Sequence, residues 1–500
     1  MIPSVNQQNV YDFITHGKGS AIVEAVAGSG KTFTIVNALD LIDPILSIAF
    51  LAFNKSIADE LKKKVPSYVQ AMTMNGMGHR AVTKRFGRFL KLDGRKIRNI
   101  ARQSMAGIDF QDHGDEICKL VSLAKAHGIA PSTMSQYTSL MPDSMETWKM
   151  LIDKFDVDVK STDIAYVIPF VRMVLQASIM DSNTIDFDDQ LYLPVIMNMP
   201  LQQYDWLFVD EAQDVSVIQR ALIRKALKPN GRLVAVGDRN QAIYGFRGAD
   251  SSSLDNIAKD FNAVTLPLSI SYRCPKQVVM YAKEIVPQIE SAETAPDGEV
   301  LSYPSYSHED FESQDMVVCR NTAPLIKLAY KLISRGVPVK VLGREIGTGL
   351  VKLIDKLRPK GIAGLRDNLY KWKSGETEKL LAKGEEDRIQ GIEDRYDTLM
   401  TFIEDSSAKT VPDLKRIISD MFNSKGHKLT LCTIHKSKGL EANRVFILEP
   451  DLMPSKWARQ EWQKEQEANL QYVAYTRAKE SLIFIQVDDF NAENRQKAIA

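Results

Sequence analysis

Short apolar runs of strand length alternate with longer helix-period stretches along this chain, and the alternation is interrupted twice. Ala21-Ile22-Val23-Glu24 and residues 46–52 are the first two apolar runs, with helical patterns around them. Over residues 1–80 this predicts a parallel α/β sheet, because parallel strands need crossover helices and bury both faces. From 81 to 180 the pattern becomes helical and charged. Strand character returns at Trp206-Leu207-Phe208-Val209 and Arg232-Leu233-Val234-Ala235-Val236. The simplest reading is one α/β domain, 1–80 and 181–265, interrupted by a helical insertion at 81–180. The design then repeats. Met316-Val317-Val318-Cys319 and residues 337–341, 429–434, 444–448 and 481–485 read as strands around a polar, helical stretch at 347–425. This predicts a second α/β domain, 266–346 and 426–500, with a shorter helical insertion of its own.

Composition narrows the class without naming a function. A chain of 500 residues is too long for one core. Its hydrophobic (44%) and charged (25%) fractions are those of an ordinary soluble globular protein. No charged-then-apolar leader is visible, and no apolar run approaches the ~20 residues that span a bilayer, so no membrane association is expected. Cys118, Cys274, Cys319 and Cys432 show no paired spacing, which argues against a disulfide framework or zinc site and fits a reducing compartment. The net charge of +1 excludes a uniformly basic nucleic-acid binder but permits a local basic surface. One such stretch comprises Arg80, Lys84, Arg85, Arg88, Lys91, Arg95, Lys96, Arg98 and Arg102, opposed by Asp93. A solvated helix face and a phosphate-contacting face are equally good readings of it.

Three strand ends carry chemistry. The first is Ala25-Val26-Ala27-Gly28-Ser29-Gly30-Lys31-Thr32, a Gly-rich turn between an apolar strand and a helix start. Such a turn aims backbone N–H groups at an anion where a helix N-terminus already favours negative charge. Lys31 is placed to reach outer phosphates and the Thr32 hydroxyl to hold magnesium. The strict pattern has glycine where this chain has Ala25. The second is Leu207-Phe208-Val209-Asp210-Glu211-Ala212-Gln213-Asp214, an apolar strand ending in paired carboxylates. Asp210 is placed to hold magnesium and Glu211 to orient or deprotonate an attacking water; the alternative is an acidic turn capping the next helix. The third runs from Val236 through Gln241 to Tyr244, Phe246 and Arg247. Gln241 is positioned to sense a γ-phosphate. Tyr244, Phe246 and Arg247 form either a base-stacking platform or ordinary core packing.

Taken together these residues resemble the superfamily 1 helicases of the UvrD/Rep type. Ala27-Gly28-Ser29-Gly30-Lys31-Thr32 is similar to that family's first motif. Asn54-Lys55 and Thr73-Met74-Asn75-Gly76-Met77 resemble its strand-contacting motifs. Ile185-Asp186-Phe187-Asp188-Asp189 resembles the segment preceding its acidic box. Tyr272-Arg273 resembles the motif that opens its second domain. Residues 433–441 and 472–479 resemble its last two motifs, and the order is kept throughout.

The resemblance implies two RecA-like P-loop domains and assigns roles. ATP binding falls to Gln7 as adenine reader, to Ala27, Gly28, Ser29, Gly30, Lys31 and Thr32, to Tyr272 stacking on the base, and to Glu441 at the ribose. Mg²⁺ falls to Thr32 and Asp210. Glu211 activates water, with Lys31, Gln241, Arg273 and Arg477 on the phosphates. DNA contacts fall to Asn54, Thr73, Asn75, Tyr244, Phe246, Arg247 and His435.

The implied activity is ATP-dependent unwinding of DNA by 3′-to-5′ movement along one strand. The alternative is a DNA-stimulated translocase that displaces bound proteins without productive unwinding. Implied partners are single-stranded DNA, duplex junctions and replication or repair proteins. The expected protein is a monomer or weak oligomer in the cytoplasm of a bacterial or phage-infected cell. A small-molecule kinase or GTP switch needs one P-loop domain only, and a non-catalytic scaffold would leave Lys31 and Glu211 dispensable. Phe33 stands where the family usually has arginine, Phe246 where it often has tryptophan, Asn75 where it often has histidine, and Ala468-Asn469 where arginines often occur.

Overall fold

The computed structural model describes residues 3–87, 89–105, 107–155, 157, 159, 163–243, 252–383, 386–423, 428–488 and 498–499. The chain divides into two compact units, Met1–Ala25 with Gly30–Leu268, and Val26–Ser29 with Ser269–Ala500.

The first unit is built on a parallel sheet of strands β1 (Ala21–Ala25), β2 (Ile48–Ala52), β3 (Val69–Thr73), β4 (Tyr204–Val209), β5 (Leu227–Gly237) and β6 (Val264–Leu268), in the order β3-β2-β4-β5-β1-β6. Its strands read as continuous apolar runs because both faces are covered. Val23, Ile48, Phe50, Trp206, Phe208, Val234 and Val236 pack on one side. Ile22, Ala49, Leu51, Leu207, Val209, Leu233 and Ala235 pack on the other. Strands β3 and β6 escape the apolar pattern for a physical reason. Gln70 in β3 is exposed, and β6 is an edge strand with exposed Val264, Thr265 and Pro267, where a missing N–H is tolerated.

The segment expected to be a helical insertion contains helices Lys96–Ser104, Gly107–His127, Met145–Lys154 and Ile164–Met180. Lys91–Leu92 pairs with Thr184–Ile185 as a small parallel ribbon. The helices share the sheet's core: Trp148, Val167, Val171 and Leu175 belong to the same cluster as Leu51, Leu207 and Leu233 of the sheet.

Inside this region lies an ion-pair network. The Lys96 ammonium donates to Asp189 Oδ2 at 2.7 Å and to the Ser178 carbonyl at 2.8 Å. Lys125 Nζ lies 2.7 Å from both Asp186 Oδ2 and Asp189 Oδ1. All four side chains are buried. Burial works to lower the Lys125 ammonium, but Asp189 and Asp186 outweigh it and raise it. Burial likewise works to raise Asp189, and Lys125 and Lys96 hold it low. Lys96 is thereby removed from the basic stretch, Arg98 is paired with Asp115, and Arg88 lies outside the described residues.

The second unit repeats the principle with β7 (Glu299–Tyr306), β8 (Met316–Cys319), β9 (Val339–Val341), β10 (Leu429–Thr433), β11 (Ala442–Leu448), β12 (Ala478–Asp488) and β13 (Ala498–Ile499), ordered β9-β10-β8-β11-β12-β7-β13. All neighbours are parallel except the β7–β13 edge pair. The stretch expected to be the second insertion, 347–425, holds the helices Ile362–Lys383, Ile389–Asp405 and Val411–Met421 and most of Arg344–Leu357, which begins before it. Leu350, Ile354, Leu369, Phe402 and Ile418 share one core with Val317, Leu431 and Phe446 of the sheet. The four cysteines are free thiols. Among the described residues no helix is long and apolar enough to cross a membrane.

Removing one member of a buried ion network strands its partners in a low-dielectric core and costs ~3–5 kcal/mol. Lys125→Met is therefore expected to lower the urea midpoint of the transition reported by Trp148, which lies in the same core. An unchanged midpoint would show that the network contributes nothing to the insertion's stability.

Candidate active site

The C-terminal edge of the first sheet gathers the polar residues. Strand β1 leads into the Gly-rich turn and then the helix Lys31–Leu39, whose second residue is Thr32. Gly28 (φ 73°) and Gly30 (φ 75°) both adopt the left-handed region, which a side chain would strain. The Ser29 hydroxyl is buried with no hydrogen-bond partner, as expected of a loop shaped for a ligand's acceptor atoms.

Lys31 is the hub. Its side chain is 14% exposed, and its ammonium donates to Glu211 Oε1 at 3.3 Å. Burial works to lower its proton affinity, but Glu211, Asp238 and Asp210 outweigh it, so Lys31 stays firmly charged. Asp210 follows β4 and accepts the Glu211 N–H at Oδ1, 2.9 Å away. Glu211 occupies left-handed backbone (φ 51°), a conformation costly for a non-glycine residue and found preferentially at functional sites. Asp238 follows β5 and is buried. Gln241 Nε2 donates to Asp238 Oδ2 at 2.7 Å. Burial pushes the Asp238 carboxyl up to about 6, with Lys31 pulling the other way.

Three carboxylates around one ammonium leave an excess of negative charge that suits a divalent cation. With left-handed Gly30 leading into the helix that begins at Lys31, these residues fit a nucleotide with its magnesium. Asp210 and Thr32 would hold the metal, and the turn with Lys31 would hold the phosphates.

The structure thus brings Lys31, Asp210, Glu211 and Gln241 together and adds Asp238 and Gln213, which the sequence reading had not assigned. Their signal was present: Asp238 follows an apolar strand just as Asp210 does, and Gln213 lies two residues beyond Glu211.

Gln7 is buried and committed locally. Its Oε1 accepts the Ser4 N–H at 3.0 Å and its Nε2 donates to Thr34 Oγ1 at 3.1 Å. Asn54 follows β2 and Thr73 is the last residue of β3, and each caps the next helix by accepting a backbone N–H, from Ile57 and Gly76 respectively. Asn75 donates to the Phe187 carbonyl at 2.8 Å and to Gln190 Oε1 at 3.1 Å. Tyr244, Phe246 and Arg247 lie outside the described residues.

In the second unit, Tyr272 is 48% exposed and its N–H donates to the Gly28 carbonyl at 2.9 Å. The Ala27 N–H donates to the buried Tyr472 hydroxyl at 2.8 Å. Arg273 Nε lies 2.7 Å from Glu441 Oε2, and Lys479 pairs with the other carboxylate oxygen. Burial raises the Glu441 carboxyl, but Lys479 and Arg273 together hold it low. Arg477 is 1% exposed, with Nε on the Val473 carbonyl at 2.8 Å and Nη1 on the Leu440 carbonyl at 3.2 Å. His435 sits in the short helix Ile434–Ser437 that follows β10.

A family profile described as the UvrD/REP helicase N-terminal domain matches residues 6–262, and one described as the UvrD-like helicase C-terminal domain matches residues 359–489. A probable DNA helicase II homolog of Rickettsia felis is 24% identical over 295 residues, covering 55% of this chain and 43% of that protein. DNA helicase II of Haemophilus influenzae is 25% identical over 293 residues, covering 54% and 38%. A probable DNA helicase II homolog of Mycoplasma capricolum is 23% identical over 620 residues, covering 97% and 85%. The match spans less than half the length of the first two relatives.

The raised Asp238 carboxyl has a signed consequence. A carboxyl that is easier to protonate when folded stabilises the fold below its unfolded value of 3.8, and that contribution is lost as pH rises through about 6. Asp238→Asn cannot ionise and escapes the loss. Its melting temperature relative to the parent is expected to climb between pH 4 and pH 7. A difference that stays flat across that window would show that Asp238 is not perturbed.

Proposed function

The chain belongs to the UvrD/Rep helicase family, and from that premise we propose that it is an ATP-dependent DNA helicase that moves 3′-to-5′ along single-stranded DNA and opens duplex junctions. One observation carries the reading: the Lys31–Glu211 pair at the sheet's C-terminal edge, with Asp210, Asp238 and Gln241 around it. A P-loop lysine whose proton is secured by three carboxylates is a permanent positive charge for phosphate. A carboxylate held against it is placed to orient water.

Bound ATP with Mg²⁺ supplies the phosphoryl group and the charge neutralisation that phosphoryl transfer needs. The chain's own residues do the rest. The turn and Lys31 position the phosphates, Glu211 orients and deprotonates the attacking water, and Gln241 reads the γ-phosphate. In this proposal Arg273 and Arg477 stabilise charge on the transferring group, while Tyr272 stacks on the base, Glu441 meets the ribose and Gln7 reads the adenine. Reading it requires the Gln7 amide to use its second proton or to leave Thr34. Asn54, Thr73, Asn75, Tyr244, Phe246, Arg247 and His435 grip the strand. The protein would act as a monomer or weak oligomer beside replication or repair proteins in the cytoplasm of a bacterial or phage-infected cell.

ATP hydrolysis is expected to require magnesium, to rise strongly with single-stranded DNA, and to collapse in Lys31→Ala and Glu211→Gln. Arg477→Ala is expected to keep nucleotide binding and lose rate by ~10³-fold, as removal of an arginine finger does. Its melting curve must accompany the assay, because Arg477 also bonds carbonyls of its own unit. Undiminished turnover in Lys31→Ala and Glu211→Gln would overturn the site.

Tailed duplexes test the rest. Unwinding from a 3′ tail is expected. Unwinding from a 5′ tail alone would reverse the polarity, and protein displacement without unwinding of bare duplex would make the chain a translocase.

A further inference from the structure

Gln213 links the loop after β4 to the turn after β5, beyond the last ladder pair of the two strands, Val209 with Ala235. Its Nε2 donates to Glu211 Oε2 at 2.5 Å, while Lys31 holds the other carboxylate oxygen at 3.3 Å. Its Oε1 accepts the Asp238 N–H at 3.0 Å. The Asp238 carboxylate in turn accepts from Gln241 Nε2 at 2.7 Å and from the Asn240 N–H at 3.1 Å. Gln213 is itself buried. Both ends of its amide are therefore used, one on the proposed base and one on the turn that carries Gln241.

The backbone is shaped to allow this. A Cβ placed on Gly237 would lie 2.5 Å from Gln213 Oε1 and 3.0 Å from Gln213 N. Any side chain at 237 would push the glutamine off the strand end. Gly237 is thus the residue that lets the loop after β4 close onto the end of β5.

We propose that Gln213 is a positioning residue for Glu211, coupling the orientation of that carboxylate to the turn of residues 238–241. The proposal rests on the hydrolytic reading given above. Glu211 sits in strained left-handed backbone, so its carboxylate direction is not fixed by its own main chain alone. With Lys31 on one oxygen and Gln213 on the other, the carboxylate is held in one plane. Any shift of Gln241 is passed through Asp238 to Gln213 and on to Glu211. A hydrogen bond to a charged acceptor is among the stronger ones, so its loss is large enough to measure in rate.

Gln213→Glu separates positioning from folding. The substitution keeps size and keeps an acceptor for the Asp238 N–H, but it removes the donor to Glu211 and places a like charge there. The expected result is a kcat for DNA-stimulated ATP hydrolysis lowered at least about tenfold. KM for ATP and the affinity for single-stranded DNA should remain within about twofold.

Gly237→Ala, which changes no functional group, is expected to lower kcat in the same way by displacing Gln213. Gln213→Met, isosteric and uncharged, serves where the glutamate variant fails to fold, and the same fall in kcat is expected of it. In the Glu211→Gln background, Gln213→Glu should add no further loss to the residual single-turnover rate, because the group it acts through is already gone.

Wild-type kcat in Gln213→Glu or Gln213→Met would overturn the proposal. So would losses that multiply independently in the double variant, or a rise in KM at constant kcat. Absence of any turnover in the unsubstituted protein would overturn the hydrolytic reading itself, a result distinct from each of these.

Discussion

The structure depends on one constraint: each parallel sheet is covered on both faces. Phe50 and Phe208 face one layer while Leu51 and Val209 face the other, so neither side of the first sheet can carry polar chemistry. Polar groups are driven to the strand ends, and in a parallel sheet the C-terminal ends all lie along one edge. Asn54, Asp210, Asp238 and the Gly-rich turn before Lys31 follow the ends of β2, β4, β5 and β1, and Thr73 is the last residue of β3. The concentration of charge around Lys31 follows from the apolar content of the strands. Within it the three carboxylates keep the Lys31 ammonium charged against the cost of burial.

The same constraint explains the helical stretches between strands. An uncovered sheet face needs a partner, and these helices supply one by sharing a core with the sheet. Trp148 and Val171 share a cluster with Leu207, and Phe402 and Ile418 share one with Phe446. The first insertion also buries charge. Lys96, Lys125, Asp186 and Asp189 tie helices Lys96–Ser104 and Gly107–His127 to the segment leading into β4. Buried ions cost more to desolvate than a well-packed apolar substitute, so the network is better understood as fixing one arrangement of helices than as adding net stability.

Central strands were legible in the sequence because burial on two faces forces continuous apolar runs, as in Trp206-Leu207-Phe208-Val209. Strands β3, β6, β7 and β13 were not. Each carries exposed or edge positions, or pairs at a sheet margin, where selection for apolar residues relaxes. Lys31, Asp210, Glu211 and Gln241 could be read because turn chemistry and strand ends are local features. Gln213 and Asp238 joined them only in three dimensions, because the contact depends on Gly237 letting two distant segments approach. The burial of Lys96 also had no sequence signal. In a run of cations, the one that turns inward is chosen by Asp189, which is distant in sequence.

On the proposed function, several residues near the sheet edge would hold two jobs at once. Asn54 and Thr73 cap helices, the Gln7 amide closes a capping box with Ser4 and reaches Thr34, and Asn75 ties its helix to Phe187 and Gln190. A cap contributes about 1 kcal/mol to its helix. Truncating any of these residues therefore perturbs the backbone that carries it as well as any ligand contact it makes. Loss of strand affinity in Asn54→Ala or Thr73→Ala would not by itself separate the two. Asn54→Asp and Thr73→Ser keep the capping acceptor while changing charge or shape, so an affinity change in them reports the contact rather than the cap. The Lys31 and Glu211 side chains bond each other, and Glu211 also bonds Gln213, so truncating either side chain removes a contact of the site directly.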